Sequence, residues 1–336
     1  MTVYADQSKT VAQGRFDQGQ VFAVRRYGGI KPLRRRRKAR DIYAFARKCA
    51  APVRLMADSW KSLEHLDCRP FSTVLCLAHG TEVPLQPTPS KLARLRRAYG
   101  KATYVIANSE YTAGLVKSCL TRPEKIRVVH PGIETPETDQ RLEHEVKQRL
   151  EQHGPVLITV ARLEQRKGQH HVIRALPALL KEFPALLYVI IGEGSERAAL
   201  EREAASLGVD QHVLFKGRLE GQQKNAWLAN SDLFVMPGSI VGRDVEGFGM
   251  AYIEAAWFGL PSIACNAGGA PEAVIHDQTG LVCGPGDQNQ LQLCLLRLLR
   301  DQHLRKTLGD NARRRAKDFA WASKISEYTG LFMSVS

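Results

Sequence analysis

A glycine-containing turn in the second half of the chain has the composition of a site for a phosphorylated ligand. Residues 244–249 read DVEGFG and lead into a helix predicted to begin near Met250. A glycine turn that opens a helix presents free backbone N–H groups and the positive end of the helix dipole, which favours a bound diphosphate. Glu246 lies in the turn and Glu254 lies inside the helix. The two carboxylates therefore do not share one helical face, and we expect them to have different roles.

Two further segments have related compositions. Residues 162–168 read RLEQRKG, which places two cations, Arg162 and Lys167, between a predicted strand and a predicted helix. Residues 266–272 read NAGGAPE, a second glycine turn with Pro271 suited to the first helical position. A single Gly-x-Gly turn is more often only a tight connection between a strand and a helix. Three such loops at strand ends in one domain predict a diphosphate pocket.

The elements around these loops follow an alternating order. Predicted strands lie at residues 155–160, 186–191, 213–215 and 233–236, with predicted helices at 168–182, 196–207 and 222–230. Strands that alternate with helices indicate an α/β fold with a parallel sheet and right-handed crossovers. The first half is less regular, with predicted strands at 73–79 and 103–107 and a basic helix at 89–100.

The domain organisation follows from this pattern and from the length. A chain of 336 residues fits two domains of about 150 residues each. We predict a first domain over residues 1–135, a second over 136–320, and a C-terminal helix over 321–336 that returns to the first domain. The acidic and Gln-rich residues 135–153 are predicted to bridge the two. Tandem α/β units of this kind leave a cleft at the C-terminal ends of their strands.

Composition excludes several classes of protein. The chain is 44% hydrophobic and 24% charged, as is ordinary for a soluble globular protein, and it contains no run of 18 or more apolar residues. The N-terminal residues lack the features of a signal peptide. Seven cysteines occur without a CxxC pair, which predicts reduced buried thiols and no zinc site.

The positive charge is concentrated in the first half of the chain. Residues 1–150 contain 28 Lys and Arg against 14 Asp and Glu, whereas residues 151–336 contain 20 of each. Two basic segments hold much of the excess: Arg34, Arg35, Arg36, Arg37 and Lys38 in one, and Arg94, Arg96 and Arg97 in the other. Attachment to an anionic membrane surface, at about 1 kcal/mol per basic residue, is favoured slightly over a solvated helix face. Nucleic acid is disfavoured, because no aromatic residues are interleaved with the charge.

Four motifs together resemble a known family. The segments RLEQRKG (162–168), GRLE (217–220), DVEGFGMAYIEA (244–255) and GGAPE (268–272) resemble the donor domain of the family-4 retaining glycosyltransferases. Within this family, the motifs most resemble those of the lipid-directed mannosyltransferases. This group includes enzymes of the phosphatidylinositol-mannoside and lipopolysaccharide types. The resemblance covers the chain from about residue 70 to its end. It implies the GT-B fold, in which two Rossmann-like doubly wound domains face each other across a cleft.

The resemblance also implies roles for individual residues on the donor side. Arg162 and Lys167 would bind the diphosphate of a nucleotide sugar, and Glu246 would hold the donor sugar. The leaving phosphate would be bound by backbone groups of the turn and helix start, at Gly247, Phe248, Gly249 and Met250.

The remaining implied roles lie around the nucleoside and the reacting carbon. Glu254 would hydrogen-bond the ribose, and Arg218 and Leu219 would border the base. His79, at the end of a predicted strand, corresponds to a histidine that contacts the donor sugar near its reacting carbon. His79 and Glu246 are therefore the predicted catalytic residues.

The implied reaction is the transfer of a hexose, with mannose as the family-level expectation, from a nucleoside-diphosphate sugar to a lipid-linked or saccharide acceptor. The configuration at the anomeric carbon would be retained. Such enzymes act in glycolipid, lipopolysaccharide or polysaccharide synthesis. We expect a GDP- or UDP-linked donor, no metal ion, no cofactor, and a cytoplasmic protein that is peripheral on the inner face of the membrane.

The N-terminus departs from the family pattern, and this leaves alternatives open. Family members usually open with a strand, a glycine-rich loop and a helix, and only then reach a strand like residues 2–5 here. We therefore expect an N-terminal domain that is incomplete at its start. The alternatives are a GT-B epimerase or phosphorylase, a catalytically impaired nucleotide-sugar-binding protein, and a basic nucleic-acid binder.

Overall fold

Parallel strands alternate with helices along the chain. The computed structural model describes residues 1–7, 17–242 and 244–334. Every strand pairing in these ranges is parallel, and the strands form three sheets of two, four and six members. The α/β class and the two Rossmann-like sheets predicted from the sequence are confirmed.

The first half of the chain contains two of the sheets. Strands β1 (Thr2–Asp6) and β2 (Ala23–Tyr27) form a two-stranded sheet, which helix α1 (Lys31–Lys48) follows. A four-stranded sheet in the order β3-β4-β5-β6 comes next. Its strands and helices are β3 (Val53–Ala57), α2 (Trp60–Leu63), β4 (Phe71–Ala78), α3 (Pro89–Gly100), β5 (Tyr104–Ala107), α4 (Glu110–Lys117) and β6 (Ile126–Val128).

The second half forms the six-stranded sheet, in the order β12-β11-β10-β7-β8-β9. Helix α5 (Gln140–Leu150) precedes it, capped by the Asp139 side chain. The strands are β7 (Val156–Val160), β8 (Leu187–Ile191), β9 (Val213–Gly217), β10 (Leu233–Met236), β11 (Ser262–Cys265) and β12 (Gly280–Cys283). The helices are α6 (Gln169–Leu179), α7 (Arg197–Ser206), α8 (Gly221–Ala229), α9 (Met250–Trp257), α10 (Ala270–Ala273), α11 (Gln288–Arg300), α12 (Gln302–Ala316) and α13 (Trp321–Met333).

The strand order of this sheet determines where a ligand can bind. Counted from its first strand, the order is 3-2-1-4-5-6, which is the dinucleotide-binding arrangement. The direction of winding reverses between β7 and β10, which are neighbours. Loops that leave these two strands at their C-terminal ends diverge and open a crevice between them. The RLEQRKG and DVEGFG segments follow β7 and β10 respectively.

The central strands of the two larger sheets are buried on both faces because they alternate apolar side chains between two cores. In β8, Leu187, Val189 and Ile191 face one core, while Tyr188 and Ile190 face the other. In the first half, Leu75 of β4 lies in a small cluster on one face of the sheet. Val74, on the other face, packs in the core that contains Trp60 and Tyr99. Full burial on both faces explains the continuous apolar runs in these strands.

The C-terminal segment crosses from the second half of the chain to the first. The backbone N–H of Ile133 donates to the carbonyl of Phe319 (2.7 Å), and the N–H of Trp321 donates to the carbonyl of Ile133 (3.0 Å). Helix α13 then packs Tyr328 against Leu75 and Ile106 of the four-stranded sheet. The chain thus links the two halves twice, and the second link lies beside the first, near Ile133.

Two differences from the sequence expectations concern element bounds. Residues 135–153, predicted as a bridge, contain the regular helix α5. The helix predicted over 168–182 ends at Leu179, and a turn follows in which the N–H of the partly buried Phe183 donates to the Leu179 carbonyl (2.8 Å). The four-stranded sheet does not pair with β1 and β2, which stay in a sheet of their own. The predicted domain boundaries at 135 and 320 stay predictions.

No helix in residues 1–7, 17–242 and 244–334 is both long and apolar enough to cross a bilayer. This finding matches the absence of long apolar runs in the sequence.

The contact of α13 with the first sheet predicts a measurable contribution to stability. Tyr328→Ala removes a buried ring from the Leu75–Ile106 contact and should lower the free energy of unfolding by about 3 kcal/mol or more in denaturant titrations. Ile325 lies on the same helix and is 52% exposed. Ile325→Ala should change stability by less than about 0.5 kcal/mol. Equal effects of the two substitutions would contradict the packing described.

Candidate functional site

The loop after β7 is held against the loop after β10 by a glycine. Residues Gln165–Lys167 form a short 3-10 turn that ends at Gly168, whose φ is 77°. A Cβ atom on Gly168 would collide with the backbone carbonyl of Pro237. The close approach requires glycine, both for its positive φ and for the lack of a side chain. It places the side chains of Arg166 and Lys167 in the crevice between β7 and β10.

A cluster of two cations and two carboxylates occupies this crevice. The Lys167 ammonium donates to Oε2 of Glu246, and the Arg166 guanidinium lies 3.4 Å from the same oxygen. Arg166 also donates from Nε to Oε2 of Glu164 (3.0 Å). Both cations are nearly buried, with 12% and 10% of the Lys167 and Arg166 side chains exposed. Burial lowers the pKa of Lys167, and the neighbouring Glu246 carboxylate only partly opposes this effect. We call the two nearly buried cations the positive site; in this structure two carboxylates balance their charge.

The glycine turn at residues 246–249 opens helix α9. Gly249 has a φ of 100°, and no side chain in the described residues caps the helix start. The N–H of Tyr252 donates to the Gly249 carbonyl (3.0 Å), so in the described residues the N–H groups left for a ligand at this helix start are those of Met250 and Ala251. Phe248 is buried, with its ring 4.8 Å from that of His130 and 5.5 Å from that of Phe319. This packing anchors the turn, in which Gly247 and Gly249 are buried as well, whereas Met250 is exposed.

The same turn contacts the end of β4 in the first half of the chain. A Cβ atom on Gly247 would lie 2.5 Å from the His79 carbonyl oxygen. The Ser109 hydroxyl donates to the Gly247 carbonyl (2.6 Å). Nε2 of His79 lies 3.0 Å from the Asp58 carbonyl oxygen, so it donates and the neutral ring has its lone pair on Nδ1. The contact places the backbone of His79 beside the residue that follows Glu246, while the two side chains have different partners, the Asp58 carbonyl and Lys167.

A pocket with an empty volume of about 240 Å³ lies behind the turn. Polar groups from the β7 loop and apolar groups from the sheet and helices form its walls. The lining residues are Arg166, Lys167, Met236, Gly238, Ser239, Glu246, Tyr252, Ala267 and Ala270.

Other predicted donor-side residues lie around the crevice but point outward. Arg162 is 70% exposed and pairs with Glu164 (2.6 Å). Arg218 is 72% exposed and donates from Nε to Glu220 (2.7 Å). Leu219 packs against the core of the second sheet, and Met250 is exposed at the start of α9. The structure does not bring Arg162 and Arg218 into contact with the Lys167–Glu246 cluster.

Glu254 occupies a second polar site one turn further along α9. Its Oε2 accepts a hydrogen bond from the Lys224 ammonium (2.7 Å), and both side chains are partly buried. Lys224 comes from α8, so this pair joins two elements that flank the crevice. The separate surroundings of Glu246 and Glu254 match the different roles expected for the two carboxylates.

Sequence reasoning missed Arg166 and Lys224. Arg166 is next to Lys167 in the sequence, and the glycine that follows them indicates a short turn. That turn is the local feature from which both side chains could have been predicted to lie in the crevice. Lys224 is thirty residues from its partner and offers no signal in the sequence. Its contact depends on how α8 and α9 pack on the sheet.

Glu82 is a further titratable group near His79. Burial raises the pKa of Glu82 to about 7, although Lys61 and Lys91 partly offset this effect. Its Oε1 atom has no hydrogen-bond partner among the described residues. The carboxyl follows His79 by three positions and lies beneath the same strand end.

The basic segments of the first half divide into paired and exposed residues. Arg34 and Lys38 bind Asp6, both at 2.9 Å, whereas Glu64 pairs with Arg94 (2.6 Å) and lies 4.0 Å from Arg35. Arg37 packs over the Tyr27 ring and donates to the Gly28 carbonyl. Within the two segments as the structure describes them, the exposed cations that have neither an ion pair nor a ring contact are Arg36, Arg96 and Arg97. Because Glu64 contacts both segments, α1 and α3 form one basic surface.

Metal ligands do not cluster in the part of the chain that the structure describes. No group of three or more His, Cys, Asp or Glu side chains there could hold an ion. All seven cysteines are free thiols.

Two family profiles match the chain over most of its length. The profile for "Glycosyl transferases group 1" matches residues 140–315, and the profile for "Glycosyltransferase Family 4" matches residues 2–137. The first alone covers more than half of the chain. The chain belongs to the group 1 glycosyltransferases. The resemblance to family 4 seen in the four motifs is thereby confirmed.

Two curated proteins that are named as GDP-mannose-dependent mannosyltransferases are similar to the chain in sequence. The chain is 33% identical over 258 residues to the GDP-mannose-dependent alpha-(1-6)-phosphatidylinositol monomannoside mannosyltransferase of Mycolicibacterium smegmatis, over 75% of this chain and 67% of that one. It is 32% identical over 293 residues to the GDP-mannose-dependent monoacylated alpha-(1-6)-phosphatidylinositol monomannoside mannosyltransferase of Corynebacterium glutamicum, over 85% and 74% of the two chains. The match to the Mycolicibacterium enzyme thus spans about two thirds of its length.

A solved structure shares the fold. The Anabaena protein HepE, crystallised in complex with UDP, superposes with a TM-score of 0.79 at 20% identity, over 99% of each chain. At this identity the similarity shows the fold alone, and the predicted GT-B architecture is confirmed.

The contact between Gly247 and His79 leads to a prediction. Gly247→Ala forces a Cβ atom against the His79 carbonyl and should lower the free energy of unfolding by about 1–3 kcal/mol. Gly100 at the end of α3 has no atom within 4 Å of its Cβ position. Gly100→Ala should leave stability unchanged or raise it by up to about 1 kcal/mol. A Gly247→Ala variant as stable as Gly100→Ala would show that the two halves do not meet here.

Proposed function

We propose that the chain transfers a hexose from a nucleoside-diphosphate sugar to an acceptor hydroxyl. The observation that supports this most directly is the convergence of Lys167, Arg166 and the free start of α9 on one crevice beside His79. The crevice lies at the reversal point of a parallel sheet, where nucleotides bind in folds of this class.

The diphosphate of the donor fits the positive site. Two nearly buried cations and the dipole of α9 are preorganised for negative charge that develops on a leaving diphosphate. Glu246 now neutralises Lys167. Donor phosphate would replace that carboxylate at the ammonium and release Glu246 toward the sugar hydroxyls. Glu246 therefore has two successive partners. It binds Lys167 before the donor is bound and the sugar hydroxyls afterwards.

The nucleoside would extend along α9. Glu254 is positioned to accept hydrogen bonds from ribose hydroxyls, and Lys224 keeps its carboxylate ionised and oriented. Arg218 and Leu219 border the outer end of this path. Arg162 pairs with the half-buried Glu164, which also binds Arg166, and would need to rotate inward to reach the diphosphate.

We propose that the transfer retains the anomeric configuration and uses no metal ion. The acceptor oxygen forms its bond to the anomeric carbon on the face from which the phosphate departs. The carbon–phosphate oxygen bond breaks, and the acceptor proton passes to the leaving phosphate oxygen. Lys167, Arg166 and α9 stabilise that phosphate, so no carboxylate nucleophile is required. His79 and Glu246 orient the sugar.

The identity of the substrates is proposed from the relatives. The names of the mycobacterial and corynebacterial enzymes specify GDP-mannose and a phosphatidylinositol mannoside. We therefore propose GDP-mannose as the donor, with UDP-sugars as the second choice because HepE binds UDP. A lipid-linked acceptor is consistent with the basic surface of α1 and α3. The protein would act at the cytoplasmic face of a membrane.

The phosphate site predicts the effect of removing its cation. Lys167→Ala should raise the donor KM and lower kcat/KM by about 100-fold or more, since a buried charge-assisted contact to the leaving diphosphate is lost. Lys181, an exposed lysine of the same domain, is the matched control. The measurement is steady-state transfer with GDP-mannose and UDP-sugars, together with calorimetric binding of GDP and UDP. Unchanged binding of the active nucleotide by the Lys167→Ala variant would refute the assignment of the phosphate site.

The basic surface predicts salt-dependent binding to anionic vesicles. Changing Arg36, Arg96 and Arg97 to Gln should weaken binding to phosphatidylserine-containing vesicles by about 100-fold, at about 1 kcal/mol per residue. The control changes three exposed cations of the second half, Lys181, Arg202 and Lys306. Sedimentation of vesicles at two salt concentrations measures the effect. If both triple variants bind equally, α1 and α3 are not the membrane surface.

A further inference from the structure

Glu272 joins the two halves of the molecule at the rim of the crevice. Its carboxylate accepts hydrogen bonds from the backbone N–H groups of Glu110 (2.7 Å) and Tyr111 (2.9 Å), at the start of α4 in the first half. Nε2 of His130 lies 3.1 Å from the same carboxylate. One side chain of the second half thus contacts two separate segments of the first half.

The surroundings of Glu272 favour its ionised form. Burial alone would raise the pKa of Glu272, but the hydrogen bonds from His130 and from the N–H groups of Tyr111 and Glu110 outweigh burial and lower it. A negative charge at a helix start also interacts favourably with the helix dipole. Within α4 itself, Ser109 provides the side-chain cap to Thr112, so Glu272 satisfies N–H groups that this cap does not reach.

The backbone around Glu272 is itself held in place. Arg315 of α12 donates to the carbonyl of Glu272 (2.6 Å) and to that of Ala273 (2.8 Å). Arg315 is partly buried and packs over the Phe319 ring, 4.9 Å from its centroid. The carboxylate is therefore presented to the first half from a supported position rather than from a mobile loop.

The same residues support the donor turn. The N–H of Gly269 donates to the Glu246 carbonyl (2.9 Å), and a Cβ atom on Gly269 would collide with the backbone of Gly247. On the other side, the His130 ring packs against Phe248, with ring centroids 4.8 Å apart and ring planes tilted by 35°. Glu272 thus closes a ring of contacts that runs from the 266–272 turn through His130 to Phe248 and back through the 246–249 turn.

We propose that Glu272 is a positioning residue, which fastens the start of α4 and His130 to the second half and thereby sets the Glu246–Gly249 turn against His79. This role rests on the proposed transferase function, because its purpose is to keep the donor turn in register with the acceptor side. Glu272 does not touch the positive site of Lys167 and Arg166. Its loss should therefore affect the catalytic step more than donor binding.

The test compares Glu272→Ala with Glu272→Gln and with a control. Asp301 caps α12 through a hydrogen bond to the Leu304 N–H (2.8 Å) and contacts only its own half of the molecule. Asp301→Ala therefore removes a helix cap in the same domain without changing the contact between the halves. For each full-length variant, hydrogen–deuterium exchange of the segment 108–113 is measured, together with kcat, donor KM and calorimetric binding of GDP and UDP.

Glu272→Ala should speed exchange at Glu110 and Tyr111 and lower kcat, each by about tenfold or more, as the loss of hydrogen bonds to a charged group implies. Donor KM should stay within about threefold of that of the wild type. Glu272→Gln should be intermediate, because one of the two accepting oxygens becomes an NH2 group, which cannot accept from a backbone N–H. Asp301→Ala should change neither exchange at these amides nor kcat.

Unchanged exchange in Glu272→Ala, or faster exchange with unchanged kcat, would overturn the positioning role. An equal loss of kcat in Asp301→Ala would also overturn it, since general destabilisation would then explain the effect. A wild-type chain that binds neither GDP nor UDP and transfers no sugar would count against the proposed function instead. The exchange comparison needs no substrate, so the two failures remain distinguishable.

Discussion

The two halves of the molecule meet where backbone approaches backbone too closely for a side chain between them. Gly247 of the second half lies against the carbonyl of His79 in the first, and within the second half Gly269 lies against Gly247. This constraint determines the site, because it brings the turn that opens α9 to the end of β4 and leaves the helix start free of side-chain caps. The hydrogen bonds of Ser109 to Gly247 and of Glu110 and Tyr111 to Glu272 maintain the contact from the other side.

Electrostatics within this frame favour an anionic ligand. The crevice contains Lys167 and Arg166, both nearly buried, which pair with the carboxylates of Glu246 and Glu164. Burial lowers the pKa of Lys167, because removing the ammonium from water penalises its charged form. A diphosphate that replaced Glu246 would keep the ammonium paired and free that carboxylate for the sugar. Membership of the group 1 glycosyltransferases is consistent with a site for a sugar donor.

The sequence predicted the parts of the site that depend on local turns. Gly168, Gly247 and Gly249 identified the loops correctly, because a positive φ or a close approach at a strand end requires glycine. Contacts between distant segments had no such signal. Lys224 meets Glu254 only through helix packing, and Glu272 meets Tyr111 across 161 positions of the chain. Likewise, Arg162 and Lys167 were equivalent in the sequence, but only Lys167 lies in the crevice, because the 3-10 turn directs it inward.

The most direct test of the account is thermal unfolding of the wild-type chain in the presence of GDP, UDP, GDP-mannose and UDP-glucose, with random-sequence DNA as a comparison. A nucleotide that binds the Lys167 crevice, supplied at 100 times its Kd, should stabilise the fold by about 2.7 kcal/mol. The account predicts that at least one nucleoside diphosphate and its sugar raise the unfolding temperature while DNA does not. If none of the nucleotides shifts the transition, or if DNA alone does, the crevice is not a nucleotide-sugar site.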